Sequence, residues 1–276
     1  MPTQKPILAF IGAGNMASSL VRGLISDGAN ASDLRVADPV PAQREKFAEL
    51  GVSTYADNNE AVNGADLVVL AVKPQIAKSV VNELDALQPN QVLLSIAAGI
   101  NLTSLGQWSS VEQAIVRCMP NTPALFGAGM SALFANQQCD PAQRQLAETT
   151  LAAAGATLWV KQESELDAVT AVSGSGPAYF FLLMEAMVDA GLGLGLDQQT
   201  ATTLTLQTAY GAALMARDSD ASPAVLRQNV TSPGGTTAAA LEVMMERGMP
   251  TIIHAALVAA DARAAELAQE FGGEVS

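Results

Sequence analysis

The sequence predicts an α/β domain with a doubly wound parallel sheet in residues 1–161, followed by an all-α domain in residues 162–276. Up to about residue 160, short apolar segments alternate with helix-compatible segments, as in successive βαβ units. From residue 163 to residue 271 the chain contains no convincing strand. The composition favours closely packed helices, because 49% of the residues are hydrophobic and only 4% are aromatic.

The first strand leads directly into a glycine turn. An apolar run, 7–11, is followed by Gly12-Ala13-Gly14 and by a helix-compatible segment, 15–27, with Ala17 at the third glycine position of the pattern. Strand, glycine turn and helix N-terminus form the phosphate-binding part of a Rossmann-type dinucleotide site. An ordinary glycine turn before a helix is the alternative. The residues predicted to bind the cofactor here are Gly12, Ala13, Gly14, Asn15 and Met16.

The second predicted strand, 34–38, ends in an acidic residue. Asp38 follows the glycine turn by about 20 residues, where a carboxylate that binds the adenosine ribose is expected, and such a contact favours NAD. Arg44, near the start of the next helix, could instead hold the 2′-phosphate of NADP. Asp38 is equally compatible with the first residue of an Asp-Pro turn. The sequence leaves these alternatives open.

The same alternation predicts the rest of the α/β part. Helices are expected at 41–50, with Gly51 as C-cap, and at 58–62, 76–87 and 141–153. Strands are expected at 52–54, 66–72, 91–96, 115–118, 130–134 and 156–160, with 130–134 at an edge of the sheet. The run 66–72 is apolar without alternation, which is typical of a central parallel strand.

The carboxyl ends of the strands supply the other cofactor-binding candidates, since ligands bind there in such sheets. Asn121 lies in a loop restricted by two prolines, where its amide could hydrogen-bond a nicotinamide amide or a substrate. Lys73 is equally compatible with a solvated lysine before a helix that proline initiates. The predicted contacts at these ends are Asn58, Ala71, Val72, Lys73, Pro74, Ala97, Gly99 and Asn121.

The second half of the chain is predicted to be helical at 163–172, 177–192, 197–217, 223–228, 236–247 and 251–271. Several of these segments are apolar on more than one face, for example 180–184 and 204–215. A helix of this kind needs partners on every side. We therefore expect an intertwined homo-oligomer, with a self-contained helical bundle as the alternative.

Two loops in the helical half are rich in glycine and hydroxyl groups. The segment 173–179, SGSGPAY, is either a plain interhelical turn or part of a site that includes Ser175. The segment 230–237, VTSPGGTT, enters a helix and combines consecutive backbone N–H groups with hydroxyls, which favours a small carboxylate. A capped helix after a Pro-Gly turn is the plainer interpretation of the second loop.

Charge and composition exclude several classes of function. The formal net charge of −13 argues against a nucleic-acid partner. The two cysteines fit no zinc pattern, no metal site is expected, and the lone histidine, His254, is expected to be structural. No signal peptide or long apolar span is recognisable, so a soluble cytoplasmic protein without a membrane partner is expected.

Five segments occur together in this chain: FIGAGNM, LAVKP, RCMPNTPA, DAVTAVSGSGPAYFF and NVTSPGGTTAAALE. In this order they resemble pyrroline-5-carboxylate reductase over nearly the whole chain. The opening motif is shared by many dehydrogenases, whereas SGSGPAY and SPGGTT are much more specific. The resemblance implies a Rossmann domain, a helical dimerisation domain, and reduction of the C=N bond of 1-pyrroline-5-carboxylate to L-proline by NADPH or NADH, the last step of proline biosynthesis.

The resemblance also implies residue roles. The Thr237 hydroxyl would hydrogen-bond the ring nitrogen, and Asp220 would act through a water molecule. One subunit would supply SPGGTT and its dimer mate would supply helices. The implied substrate-binding residues are Ser232, Gly234, Gly235, Thr236 and Thr237, with Asn121 and Ser175 as further candidates.

The residues suit imine chemistry. A protonated imine carbon is already activated toward hydride, so positioning and electrostatics can supply most of the rate enhancement. No lysine follows Lys161, whereas the similar β-hydroxyacid dehydrogenases need a lysine acid in the helical domain. The alternatives are a reductase of another imine and a non-catalytic dinucleotide-binding module.

Overall fold

The structure, a computed structural model, describes residues 5–85 and 87–272. It divides into two compact units, one with the described residues up to Ser175 and from Ala260 onward, the other spanning Gly176–Ala259. The first unit is built on a sheet of eight strands. These strands are β1 Leu8–Ile11, β2 Leu34–Ala37, β3 Ser53–Tyr55, β4 Leu67–Leu70, β5 Val92–Ser95, β6 Ala114–Met119, β7 Gly129–Ala135 and β8 Gly155–Trp159.

The strand order is β3-β2-β1-β4-β5-β6-β7-β8, and every neighbouring pair is parallel except β6 and β7. The first six strands have the order of a dinucleotide-binding doubly wound sheet. Strands β2 and β3 lie on one side of β1 and β4 lies on the other, so the order in which strands are added to the sheet reverses at β1. The ligand crevice is expected at such a switch point, outside the carboxyl end of β1. The predicted α/β architecture is confirmed.

The central strands are buried on both faces, which explains their unbroken apolar sequences. Phe10 and Leu94 belong to the core on one face of the sheet. Ile11, Leu70 and Leu93 belong to the core on the other. Because side chains alternate along a strand, each short strand contributes to both cores and is fixed in register.

The helices that lie between the strands in the described part of this unit are α1 Asn15–Ser26, α2 Pro41–Ala48, α3 Asn58–Val62, α4 Pro74–Asn82, α5 Leu102–Trp108 and α6 Pro141–Ala152. Short 3₁₀ turns occupy Ala31–Asp33 and Thr122–Phe126. The carboxylates of Asp57 and Asp140 and the amide of Asn101 cap three of the helices by accepting hydrogen bonds from first-turn N–H groups.

Three expectations for this unit need correction. The helix expected at 76–87 begins at Pro74 and ends at Asn82, because Leu84 and Leu87 form tighter turns through N–H bonds to Val81 and Leu84; residue 86 of that range lies outside the described residues. Helix α5 was not expected. The strand at 130–134 is not at the edge, because β8 pairs with β7 and takes that position.

The second half of the chain contains α7 Glu165–Val169, a π-helical turn Thr170–Gly174, α8 Gly176–Gly193, α9 Gln198–Asp218, α10 Pro223–Asn229, α11 Thr236–Glu246 and α12 Met249–Gly272. The predicted helical character is confirmed. The plain interhelical turn, one of the two alternatives for 173–179, is wrong, because the helical stretch is continuous from Glu165 to Gly193. Ser173 and Gly174 belong to the π-helical turn, and the Ser175 N–H donates to the Thr170 carbonyl over 2.8 Å.

Little of the helical unit is buried within one chain. Among residues 176–259, only Gly176, Ala201 and Thr205 are buried, whereas Phe180, Phe181 and other large apolar side chains are exposed. Among the described residues, one helical stretch, Glu165–Gly193, is long and apolar enough to cross a membrane by length and composition. Its mean hydropathy is only 1.2, and a helix that packs against a second chain has the same character.

Candidate active site

The glycine turn after β1 has the geometry that a phosphate-binding loop requires. Gly12 has φ +101°, and its N–H donates to the Ala37 carbonyl over 2.8 Å. A Cβ at this position would lie 2.6 Å from the Ala71 carbonyl oxygen. The loop therefore lies against the carboxyl end of β4 as closely as glycine alone allows.

Gly14 occupies the N-cap of α1, where no side chain caps the helix. A Cβ built on Gly14 would meet no atom within 4 Å, so its outer side is open. Ala17, one turn later, is completely buried and lets the helix pack closely against the sheet. The first N–H groups of α1 are thus available to an anion, which fits a dinucleotide pyrophosphate.

Asp38 lies directly beside this loop. Its Oδ2 accepts a hydrogen bond from the Ala13 N–H over 2.9 Å, and its Oδ1 accepts one from the Val40 N–H over 2.9 Å. The guanidinium of Arg44 donates to the Asp38 carbonyl oxygen over 2.6 Å. The turn interpretation of Asp38 is therefore confirmed, and the same carboxylate also holds the glycine loop. A ribose contact would use its remaining lone pairs.

We expect Asp38→Ser to raise the ratio of kcat/KM with NADPH to kcat/KM with NADH by about tenfold, because a charge-assisted bond to the ribose and a negative charge near the 2′-position would both be lost. Steady-state kinetics with each cofactor measures the ratio. Asp57→Ser is the matched control, since Asp57 also accepts two backbone N–H groups, at the start of α3. An unchanged ratio in Asp38→Ser would restrict Asp38 to the turn and the loop.

The other predicted cofactor contacts line the same end of the sheet. The Ala71 N–H donates to the Ile11 carbonyl oxygen of the neighbouring central strand, and the Val72 side chain is adjacent to Gly12. Lys73 is exposed at the N-cap of α4, with Pro74 in the first turn. Asn58 begins α3, and the buried Ala97 follows β5, with its N–H bonded to the Ser95 hydroxyl.

Gly99 has a structural reason for being glycine. Its φ is +75°, and a Cβ would lie 3.2 Å from the backbone carbonyl atoms of Leu267 in α12. The sequence suggested that a small residue at position 99 makes room for the cofactor. The packing of the last helix on this loop already requires glycine there.

A partly buried ion pair, which the sequence alone does not reveal, supports this end of the sheet. Arg117 on β6 donates to Glu163 Oε1 over 2.6 Å, and the same oxygen accepts the Leu102 N–H at the start of α5 over 2.7 Å. Burial raises the pKa of the neighbouring Asp167 carboxyl, an effect that Arg117 opposes. Arg117 is a charged residue within the apolar run 115–118, and this was the sequence signal for a buried partner. Its partner, Glu163, is 46 positions away and could not be identified from the sequence.

We expect Glu163→Gln to lower the free energy of unfolding by about 2 kcal/mol, because Arg117 would lose its hydrogen-bonded counterion. This value is below that of a fully buried pair, since 28% of the Glu163 side chain is exposed. Urea unfolding of Glu163→Gln and of the exposed pair variant Glu266→Gln provides the comparison. Equal, small losses in both would show that burial adds nothing at Glu163.

Asn121 joins the loop after β6 to two other segments. Its Oδ1 accepts the Met130 N–H over 2.8 Å, and its Nδ2 donates to the Ser173 carbonyl over 3.1 Å. These bonds occupy most of the amide that was predicted to meet cofactor or substrate. Both cysteines are buried, and burial raises the pKa of Cys118 to about 12 and that of Cys139 to about 11, which disfavours the reactive thiolate.

The SPGGTT loop forms a second uncapped helix start. Gly234 has φ +69°, and the Gly235 N–H donates to the Ser232 carbonyl over 3.0 Å, which closes the turn. Gly235 is the N-cap of α11, and no side chain caps that helix. The first N–H groups of α11 are therefore available to an anion, as they are in α1.

A cavity of about 610 Å³ adjoins this loop. Gly234 and Gly235 line it together with one cation, Arg227, and one acidic residue, Glu242. Sequence reasoning missed Arg227, although it precedes the loop closely. Ser232 and Thr236 are exposed, Thr237 is half-buried, and Asp220 is exposed after α9. Of the residues implied for substrate binding in this loop, the two glycines are the ones that line the cavity.

The doubly wound sheet, the glycine turn against β4 and the open N-terminus of α1 define a dinucleotide-dependent oxidoreductase. Residues 7–99 match a family model described as NADP oxidoreductase coenzyme F420-dependent, and residues 163–267 match one described as pyrroline-5-carboxylate reductase dimerisation.

Relatives and solved structures agree with these matches. The pyrroline-5-carboxylate reductase of Pseudomonas aeruginosa is 53% identical over 97% of this chain and 98% of its own. A solved pyrroline-5-carboxylate reductase from Coxiella burnetii is 41% identical, with a TM-score of 0.92 over 96% of this chain and all of its own. One from Plasmodium falciparum with NADP bound is 30% identical, with a TM-score of 0.86 over 96% of this chain and 99% of its own. The chain belongs to the pyrroline-5-carboxylate reductase family.

Proposed function

We propose that this protein reduces 1-pyrroline-5-carboxylate to L-proline with hydride from NADPH or NADH, the last step of proline biosynthesis. The observation that carries the proposal is the SPGGTT loop. Two glycines precede an uncapped helix start, and a cation, Arg227, lines the adjoining cavity. This donor set suits the carboxylate of a small substrate. Family membership supports the same reaction.

The cofactor is proposed to bind along the carboxyl edge of the sheet. The pyrophosphate would lie on the segment 12–16, where Gly14 leaves the backbone open. Asp38 and Arg44 would meet the adenosine ribose and its substituent. Bound NAD(P)H supplies the hydride. The proposed contacts further along the edge are Asn58, Ala71, Val72, Lys73, Pro74, Ala97 and Gly99.

The chain's own residues are proposed to bind and orient the imine. The backbone N–H groups of Gly234 and of the first turn of α11 would hold the carboxylate, assisted by the hydroxyls of Ser232 and Thr236, while the Gly235 N–H closes the turn that presents them. The Thr237 hydroxyl would accept a hydrogen bond from the protonated ring nitrogen and keep the C=N carbon in a fixed orientation. Asp220 would stabilise the positive nitrogen through a water molecule. Ser175 is proposed as a further polar contact to the substrate.

We propose a homodimer, or a higher homo-oligomer built from dimers, that acts in the cytoplasm. Exposed apolar side chains on α8 and α9, among them Phe180, Phe181 and Leu204, support a partner for the helical unit. The match of residues 163–267 to a dimerisation model supports a second copy of this chain as that partner. The same match supports a division of the chain into a cofactor domain, 1–161, and a dimerisation domain, 162–276.

A comparison of two substrates tests the role of the carboxylate. We expect kcat/KM for 1-pyrroline-5-carboxylate to exceed that for 1-pyrroline, which lacks the carboxylate, by on the order of a hundredfold or more, because several charge-assisted bonds are lost together. Arg227→Gln should lower the value for the carboxylate substrate and leave that for 1-pyrroline unchanged. Equal rates with both imines would favour a reductase of another imine.

A further inference from the structure

Asn121 differs from three other residues with Asn or Asp side chains that precede helices in the α/β unit. Asp57, Asn101 and Asp140 accept hydrogen bonds from their own helices. Asn121 precedes the 3₁₀ turn Thr122–Phe126, but its side chain makes no cap. It bridges instead to Met130 at the start of β7 and to the Ser173 carbonyl in the π-helical turn.

This bridge requires an amide. Met130 presents an N–H and Ser173 presents a carbonyl, so the bridging group must accept at one end and donate at the other. An asparagine side chain has both functions, whereas an aspartate has only acceptors at neutral pH. Asn121→Asp would keep the bond from Met130 and set an anionic oxygen against the Ser173 carbonyl.

A second contact joins the same two segments. A Cβ on Gly174 would lie 2.5 Å from Met119 Cε, so the methionine methyl fills the space beside this glycine. Met119 ends β6, two residues before Asn121. The loop after β6 therefore meets the π-helical turn through one apolar contact and one hydrogen bond.

The contacted turn is one that an isolated helix does not favour. Its marker is the bond from the Ser175 N–H to the Thr170 carbonyl, five residues back, over 2.8 Å. Such π turns are rare and occur often at functional sites. If the turn relaxed to α-helical spacing, the Ser175 side chain would rotate by about 100° relative to the residues before the turn.

We infer that Asn121 is a positioning residue that holds the π-helical turn in place and thereby sets the position of the Ser175 hydroxyl. The inference deepens the proposed function, because the kinetic importance of Ser175 rests on it. Asn121 is then not itself a substrate or cofactor contact. Its conformational effect, however, can be measured independently of catalysis.

Amide hydrogen exchange at Ser175 in the full-length protein tests the conformational part. We expect Asn121→Asp to accelerate exchange of the Ser175 N–H about tenfold, as for the loss of one hydrogen bond that holds a local structure closed. Asn136→Asp is the matched control. Asn136 makes the same two-way bridge at the other end of the β6–β7 pair, accepting from the Ile115 N–H and donating to the Gln113 carbonyl. Unchanged exchange in Asn121→Asp, or equal acceleration in Asn136→Asp, would overturn the inference.

Gly174→Ala perturbs the contact between the π-helical turn and Met119. It replaces Asn121→Asp as the test if that variant does not fold. The added methyl group would have to displace the end of the Met119 side chain. Faster exchange at Ser175 is expected here too. Normal exchange in a folded Gly174→Ala protein would show that the turn does not depend on this contact.

A double-mutant cycle tests the link to catalysis. Asn121→Asp should lower kcat/KM for 1-pyrroline-5-carboxylate about tenfold and change the Kd of NADPH by less than twofold. In a Ser175→Ala background, the change in log(kcat/KM) caused by Asn121→Asp should be less than half as large. The reason is that both substitutions act through the Ser175 hydroxyl. Additive losses, or a raised Kd of NADPH, would overturn the positioning role. A wild-type protein inactive on this imine would contradict the proposed function and leave the exchange result unaffected.

Discussion

Gly12→Ala is expected to weaken NADPH binding by on the order of a hundredfold, because the added Cβ would lie 2.6 Å from the Ala71 carbonyl oxygen. The Ala71 oxygen belongs to the backbone that directly follows the central strand β4. No flexible side chain can therefore move aside, and the glycine turn itself must move. A displacement of about 1 Å in a site that acts by positioning can cost about a hundredfold in binding or rate. Fluorescence titration of NADPH measures the change in Kd.

Gly28→Ala is the control for Gly12→Ala. Gly28 also has a positive φ, +90°, but a Cβ there would meet no atom within 4 Å. Both variants therefore carry the strain of a left-handed alanine, on the order of 1 kcal/mol, and only Gly12→Ala carries the clash. A folded Gly12→Ala protein with the NADPH affinity of Gly28→Ala would contradict the assignment of this turn to the pyrophosphate.

Thr237→Ala is expected to lower kcat/KM for 1-pyrroline-5-carboxylate by about one to two orders of magnitude, as for the loss of one hydrogen bond to a charged nitrogen. The loss should not come from unfolding, since alanine is the better helix former in the first turn of α11. The Kd of NADPH should not change, because the hydroxyl is proposed to meet the imine alone. Steady-state kinetics and a thermal melt separate these effects.

Thr200→Ala provides the comparison for Thr237→Ala. Thr200 lies in the first turn of α9 and bonds to its capping residue Asp197. Its removal should lower stability slightly and leave kcat/KM intact. If Thr237→Ala has the same kcat/KM as Thr200→Ala, the proposed hydrogen bond between the Thr237 hydroxyl and the ring nitrogen does not contribute to the reaction.

The parts of the fold that depend on local pattern could be predicted from the sequence. Within the strand expected at 66–72, residues 67–72 are continuously apolar because β4 Leu67–Leu70 is buried on both faces. The glycine turn is equally local, since Gly12 and Gly14 act through their own backbone. Helix α3 is capped by the residue before it and begins and ends where it was expected.

The features that were missed depend on residues far apart in the chain. Helix α5 is short, and it is held by Glu163 at its first N–H and by a bond from Ser104 to the Gly272 carbonyl. The segment 173–176 contains two glycines and reads as a turn, yet contacts from Met119 and Asn121 hold a π turn there. Neither a propensity nor a hydrophobic period contains such information.

The candidate site divides in the same way. The glycine loops and their helix starts are contiguous motifs, and sequence reasoning found them. Arg227, the double role of the Asp38 carboxylate and the structural demand on Gly99 appear only when separate segments are placed side by side. Hydroxyl-rich loops can be recognised from composition, whereas the groups that orient them cannot.

Oxidation of NADPH and of NADH, followed by absorbance with and without 1-pyrroline-5-carboxylate, tests the central claim most directly. We expect oxidation that depends on the imine, with L-proline formed in equal amount to the cofactor consumed. No imine-dependent oxidation with either cofactor, from folded protein that still binds NADPH, would contradict the claim and favour a reductase of another imine or a non-catalytic dinucleotide-binding module.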